Sequence, residues 1–144
     1  MKPWLIAAAM AAGCSLPMGD YEPHEQAAFD ALKAAWDGPK PAGYCHLDRF
    51  LVRQNNSCGP EAYGCLSWEK PRPFRADKVP VVNIATWHHS EPYLVVHELL
   101  HAFSLCAGWG GDARHVNPRV WSAAGGDSSI QSRTMAVLAS EGWI

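Results

Sequence analysis

The stretch PYLVVHELLHAFSLC, residues 92–106, is apolar around most of a helical wheel. Val95, Val96, Leu99, Leu100 and Phe103 mark a helix formed here as a buried element, and His97, Glu98 and His101 as polar insertions within it. A buried glutamate left unpaired beside two histidines is costly, and a shared metal ion would give all three a reason to be there. The helix has start signals upstream. Ser90 is a good N-cap, Glu91 stands where the helix dipole favours an anion, and Pro92 is tolerated in the first turn. The run should continue to about Cys106.

The spacing is what a metal needs. Residues four apart on a helix differ by about 400° of rotation, so His97 and His101 project along one line, one turn apart. Glu98 points about 100° away and can reach a water on the metal without occupying a coordination position. Zinc hydrolases require three protein ligands, an open position for water, and a carboxylate to take that water's proton. In a chain with this histidine content the pattern arises by chance on the order of 0.02 times, so the motif outweighs a core cluster in which Glu98 merely bridges a histidine and an arginine.

The remainder reads as one domain of mixed class. Pro23 opens a helix with Ala28, Phe29, Leu32, Ala35 and Trp36 on one stripe, stopped by Asp37-Gly38-Pro39, and this helix should lie against a sheet. Tyr44 to Val52 and Gly64 to Trp68 are candidate strands. The third, Val79 to Ala85, is the richest in β-branched residues, and Pro80 makes it an edge strand or one with the proline at its start. A last helix fits residues 127–141, capped by Asp127 or Ser128, with Ile130, Val137 and Leu138 inward. Met135 reads as core.

His97-Glu98-Leu99-Leu100-His101, preceded by a candidate edge strand and followed by a glycine-bearing turn, resembles the zincin class of zinc metallopeptidases. The resemblance is specific over residues 79–115 and architectural elsewhere. It implies an α+β fold: a small twisted mixed sheet packed on an N-terminal helix and an active-site helix, followed by a C-terminal helix. It also implies a Zn2+ cofactor, Glu98 as general base, and a protein or peptide substrate, including cell-wall peptide, lying antiparallel along an edge strand. The metzincin continuation is missing, since Ser104 replaces its glycine and Ala107 its third histidine. Glu141, at the far end of the last helix, is remote for a glutamate ligand.

The third ligand must therefore come from the glycine-rich loop. His115, in GGDARH, is preferred to Asp112, which could ligate directly or hydrogen-bond a ligand histidine. The metal set is thus His97, His101 and His115. His88 and His89 precede the helix cap and read as loop or cleft residues. Cys58 and Cys65 enclose a short loop and Cys45 could reach Cys106, but four cysteines allow three pairings and the sequence does not choose.

Residues 1–14 read as an export leader: a lysine, an apolar run from Trp4 to Ala12, then Ala11-Ala12-Gly13-Cys14, which resembles the lipobox of bacterial lipoproteins. Lipid on Cys14 would anchor the chain in the cell envelope, at the outer membrane if the source has two, and leave an even four cysteines for an oxidising compartment; the alternative is an ordinary cleavable signal with Ala9-Met10-Ala11 as its site and a secreted product. Residues 15–22 are a tether and 23–144 the domain. With 12 Lys+Arg against 14 Asp+Glu and no basic run, nothing favours nucleic acid as a partner. The alternative function is a non-catalytic binding or scaffolding lipoprotein of the same fold.

Overall fold

The computed structural model describes residues 21–42, 45, 47, 49–69, 79–88 and 91–144. The expectations for the leader, for Cys14 and for residues 15–20 of the tether lie outside them, as do Ser90, His89 and parts of the candidate strand at 44–48. Within the described residues four helices and a three-stranded mixed sheet make an α+β fold: α1 (Pro23–Ala35), β1 (Leu51–Gln54), β2 (Gly64–Glu69), β3 (Val79–Ile84), α2 (Pro92–Cys106), the single turn α3 (Ser122–Gly125) and α4 (Ile130–Ser140). Among the described residues no helix is long and apolar enough to cross a membrane.

Helix α2 is the centre of the molecule. It packs on β2 and β3 on one side and on α1 and α4 on the other, which follows from its having almost no polar face. Val95, Val96, Leu99, Leu100 and Ala102 are wholly buried; each of the larger aliphatics contributes roughly 1.5–3 kcal/mol relative to exposure. The start differs by one residue from the sequence expectation: Glu91, not Ser90, occupies the N-cap position, and its carboxylate makes no cap hydrogen bond. Pro92 stands at the start, where a missing N–H costs nothing.

The sheet order is β1-β3-β2, with β1 parallel and β2 antiparallel to β3. The strand at 79–84 is therefore central, not an edge, and all six of its residues are buried. Pro80 is accommodated by the second placement open to it. The β1 ladder begins only at Val81, opposite Leu51, so the proline stands just ahead of it. The antiparallel edge beside α2 is instead β2.

Two further expectations change. Helix α1 packs mainly on α4 and α2 rather than on the sheet; it meets the strand region through Phe29, tilted against Phe50 at 5.0 Å. The last helix is capped by Ser129, whose hydroxyl accepts from Ser132 N–H at 3.1 Å. Asp127 and Ser128 lie in the 3-10 turn before it. A run of three capping residues does not reveal which one stands where an oxygen meets the first free N–H groups. Ile130 and Leu138 are buried as expected, and Met135 packs against the core.

The cysteines pair as Cys45–Cys106 and Cys58–Cys65, bonds that an oxidising compartment preserves. The first ties the chain ahead of β1 to the C-terminal end of α2, where Ala42 N–H also donates to the Cys106 carbonyl at 2.8 Å. The second closes the short loop that delivers β2 to the sheet.

Candidate metal centre

Burial along α2 singles out one stripe. Of its 15 residues, only Tyr93, His97, His101 and Leu105 are not buried, and they recur every fourth position. His97 and His101 thus open toward the one side of the helix that neither the sheet nor the other helices cover. Their rings lie 5.1 Å apart.

His115 joins them from the loop after α2. Its ring centroid is 4.7 Å from that of His97 and 5.0 Å from that of His101. One ligand nitrogen from each of the three comes within 4.8 Å of the others. His115 Nε2 and His101 Nε2 face each other at 3.1 Å. Nitrogens bound tetrahedrally to a shared zinc ion are about 3.3 Å apart, given zinc–nitrogen bonds of about 2.0–2.1 Å. The His101 tautomer follows from its other contact: Nδ1–H donates to the Gly111 carbonyl at 2.6 Å, which leaves the Nε2 lone pair of a neutral ring aimed into the cluster.

The electrostatics keep His97 and His101 unprotonated, with their lone pairs free to bind. Burial, then the proximity of His101 and His115, pushes His97 down to about 4. His101 is lowered too, first by burial, with its hydrogen bond to Gly111 working the other way. Three imidazoles whose ring nitrogens converge form a donor set that a metal ion could occupy.

The loop geometry explains how a residue fourteen positions beyond His101 returns to it. Asp112 and His115 both have left-handed backbone, φ 44° and 56°, a region that aspartate and histidine enter more readily than most residues. His115 N–H donates to the Asp112 carbonyl at 2.9 Å, closing the turn. The Asp112 carboxylate then accepts from Val116 N–H at 3.2 Å and Asn117 N–H at 2.7 Å. Burial pulls this carboxyl upward, but the two N–H groups and the Trp121 indole outweigh it and hold it below the usual range. Asp112 thus falls outside the clustered donors and bonds no ligand histidine. It braces the turn that presents His115.

Removing that brace gives a testable result. Asp112→Ala should weaken the affinity of the three histidines for a divalent metal ion about 10–100-fold, the usual effect of losing a group that positions a ligand. A zinc titration of the variant that matched wild type would show that the turn holds His115 without it.

Two residues at the site escaped sequence reasoning. Trp121, 1% exposed, forms a floor under all three imidazoles, with centroids 5.0, 4.8 and 4.3 Å from His97, His101 and His115. The adjacent apolar pair Val120-Trp121, late in an otherwise polar loop, was the available signal for a return to the core. The other is Gly64, the first residue of β2. A methyl group there would stand 3.2 Å from Glu98 Oε1 and 3.0 Å from the Asn83 carbonyl oxygen. Glycine lets the edge strand close down on the glutamate, where a side chain would force its neighbours to give by a few tenths of an ångström.

Glu98 is therefore held between α2 and β2. It is 6% exposed, and burial pushes its carboxyl up to about 7. Glu141 caps the C-terminal end of α4, exposed, and is not among the clustered donors. His88 lies in a 3-10 turn, its Nδ1 2.8 Å from Glu91 Oε1. No family model, no curated protein and no solved structure matches the chain.

Proposed function

We propose that the protein is a zinc-dependent peptidase acting outside the cytoplasm. The convergence of His115, from the loop, on His97 and His101, from a helix that also carries a buried glutamate, is the observation that supports this reading most directly. The donor set suits zinc, which binds three protein ligands and keeps a fourth position open in its hydrolytic sites. Bound there, the ion would lower the pKa of a coordinated water toward neutrality and polarise a peptide carbonyl.

The chain's own residues divide the remaining work. Gly111 fixes the His101 tautomer, Asp112 braces His115, and Trp121 keeps solvent from the underside of the rings. Glu98 takes a proton from the attacking water and returns it to the leaving amine, a role suited to a carboxyl whose pKa lies close to the operating pH. An extended peptide would run beside β2, the antiparallel strand flanking α2, as the zincin-like reading implies. Lipid on Cys14 would hold the domain at the envelope.

The test is zinc content together with turnover. Full-length protein should take up one equivalent of Zn2+ and cleave members of a mixed peptide library, with cuts located by mass spectrometry. Uptake of no zinc by correctly disulfide-bonded protein would overturn the proposal.

A further inference from the structure

The unburied stripe of α2 does not end at the histidines. Tyr93 begins it, four residues or about 6 Å of helix before His97, and is 41% exposed. Tyr63 is 57% exposed and immediately precedes Gly64, the residue that abuts Glu98. Glu91 stands beside Tyr93. His88 connects Glu91 to Tyr63: its Nδ1 lies 2.8 Å from Glu91 Oε1, and its ring meets that of Tyr63 edge-on at 4.6 Å.

Their mutual influence confirms the proximity. Hydrogen bonding to Glu91, then burial, then the charges of Glu91 and Tyr63 push the Tyr93 phenol up. Glu91 is held below the usual carboxylate range by its hydrogen bonds, first to His88 and then to Tyr93. A carboxylate has about four acceptor positions, and these two contacts leave others open. Its placement is also unusual: Glu91 is the N-cap residue of α2, yet its side chain makes no cap hydrogen bond and serves the aromatic cluster instead. Among the described residues no lysine or arginine pairs with it.

We infer that Tyr63, Glu91 and Tyr93 form a recognition subsite for a cationic group of the substrate, an ammonium or guanidinium. Two exposed tyrosines beside a carboxylate that no described lysine or arginine pairs with are the components of a cation site, whereas an apolar side chain seated there would desolvate the carboxylate without compensation. At about 3.3 Å per residue of extended chain, the 6 Å from Tyr93 to His97 places the cation about two residues from the scissile bond. The inference rests on the peptidase reading for that placement. The cation could be a lysine or arginine side chain, or the α-ammonium of a peptide N-terminus.

Binding to the Glu98→Gln protein loaded with zinc tests this without turnover. Fluorescence anisotropy would compare eight-residue labelled peptides carrying lysine, arginine, norleucine or glutamate at each position in turn, with free or acetylated N-termini. At one position lysine and arginine should bind about tenfold tighter than norleucine, and adding Glu91→Gln should bring that ratio close to one. Tyr63→Ala should reduce it about threefold. If only free N-termini show the effect, the ligand is the α-ammonium; if acetylated peptides keep it, the ligand is the side chain. Equal binding of lysine and norleucine at every position, or a preference that survives Glu91→Gln, would overturn the inference. A cation preference in a protein whose wild type cleaves nothing would retain the subsite and reject the peptidase.

Discussion

Glu98→Gln is expected to lower peptide hydrolysis roughly a thousandfold while raising the melting temperature of the metal-free protein at pH 8 by about 5 °C. Both effects have one source. The Glu98 carboxyl is pushed from its ordinary 4.5 up to about 7 by burial, so the folded protein holds that proton more tightly than the unfolded chain does. The associated stability is complete below pH 4.5, is lost as pH rises toward 7, and stays lost above it. The cost at pH 8 is on the order of 3 kcal/mol, and a neutral carboxamide of the same shape removes much of it.

His97 contributes with the opposite sign. Its folded value near 4 lies below its ordinary 6.5, so stability falls as pH drops from 6.5 to 4. The metal-free Glu98→Gln protein should therefore gain stability from pH 4 to 6.5 and then hold level, whereas in wild type the two opposite slopes should nearly cancel between pH 4.5 and 6.5, with a loss only as pH rises on through 7. Thermal melts across pH, with activity assayed on the same preparations, check both parts. A variant less stable than wild type at pH 8 would mean that Glu98 is better satisfied in the folded protein than its burial indicates.

The second large effect concerns the metal. His115→Ala removes one of the three imidazoles, and zinc affinity should fall by more than about 100-fold, beyond the usual loss of an outer-shell contact. Zinc at 1,000 times its dissociation constant stabilises the folded state by about 4 kcal/mol; a 100-fold weaker site at the same zinc concentration should retain only about 1.4 kcal/mol of that. Calorimetric titration measures the first quantity and thermal shift with added zinc the second. If the variant binds zinc as tightly as wild type, His115 is not a ligand and the centre must be completed elsewhere.

How much of this could be read from the sequence depended on range. His97, Glu98 and His101 are related by helical rotation alone, so their arrangement followed once a helix was recognised. The helix was recognisable because its apolar residues leave only one open stripe. The loop was harder. His115 reaches the cluster through two left-handed residues and an aspartate that binds the following backbone, and residue types only suggest such a path. Asp112 and His115 were both plausible ligands by chemistry, and the hydrogen bonds to Val116 and Asn117 separate them.

The place of β3 in the sheet stayed open between two positions for a comparable reason. Pro80 carries a local penalty that an edge position relieves, but a late start to one ladder relieves it equally well, and that start is set by β1, about thirty residues away. Gly64 escaped because its significance lies in a side chain from another element. The Cys45–Cys106 bond was one of three possibilities until the end of α2 was seen beside the chain ahead of β1.

The indole beneath the three imidazoles has an optical consequence. Trp121 is sealed from solvent and touches every proposed ligand ring, so its emission should depend on what those rings hold. Protonated imidazoles and paramagnetic ions such as Cu2+ quench a neighbouring indole, while zinc, with its filled d shell, does not. Among the chain's 7 tryptophans, the part of the signal lost in Trp121→Phe would follow occupancy of this centre. The protein thus carries an intrinsic fluorophore that can distinguish empty, zinc-filled and miscoordinated sites without a label or a substrate.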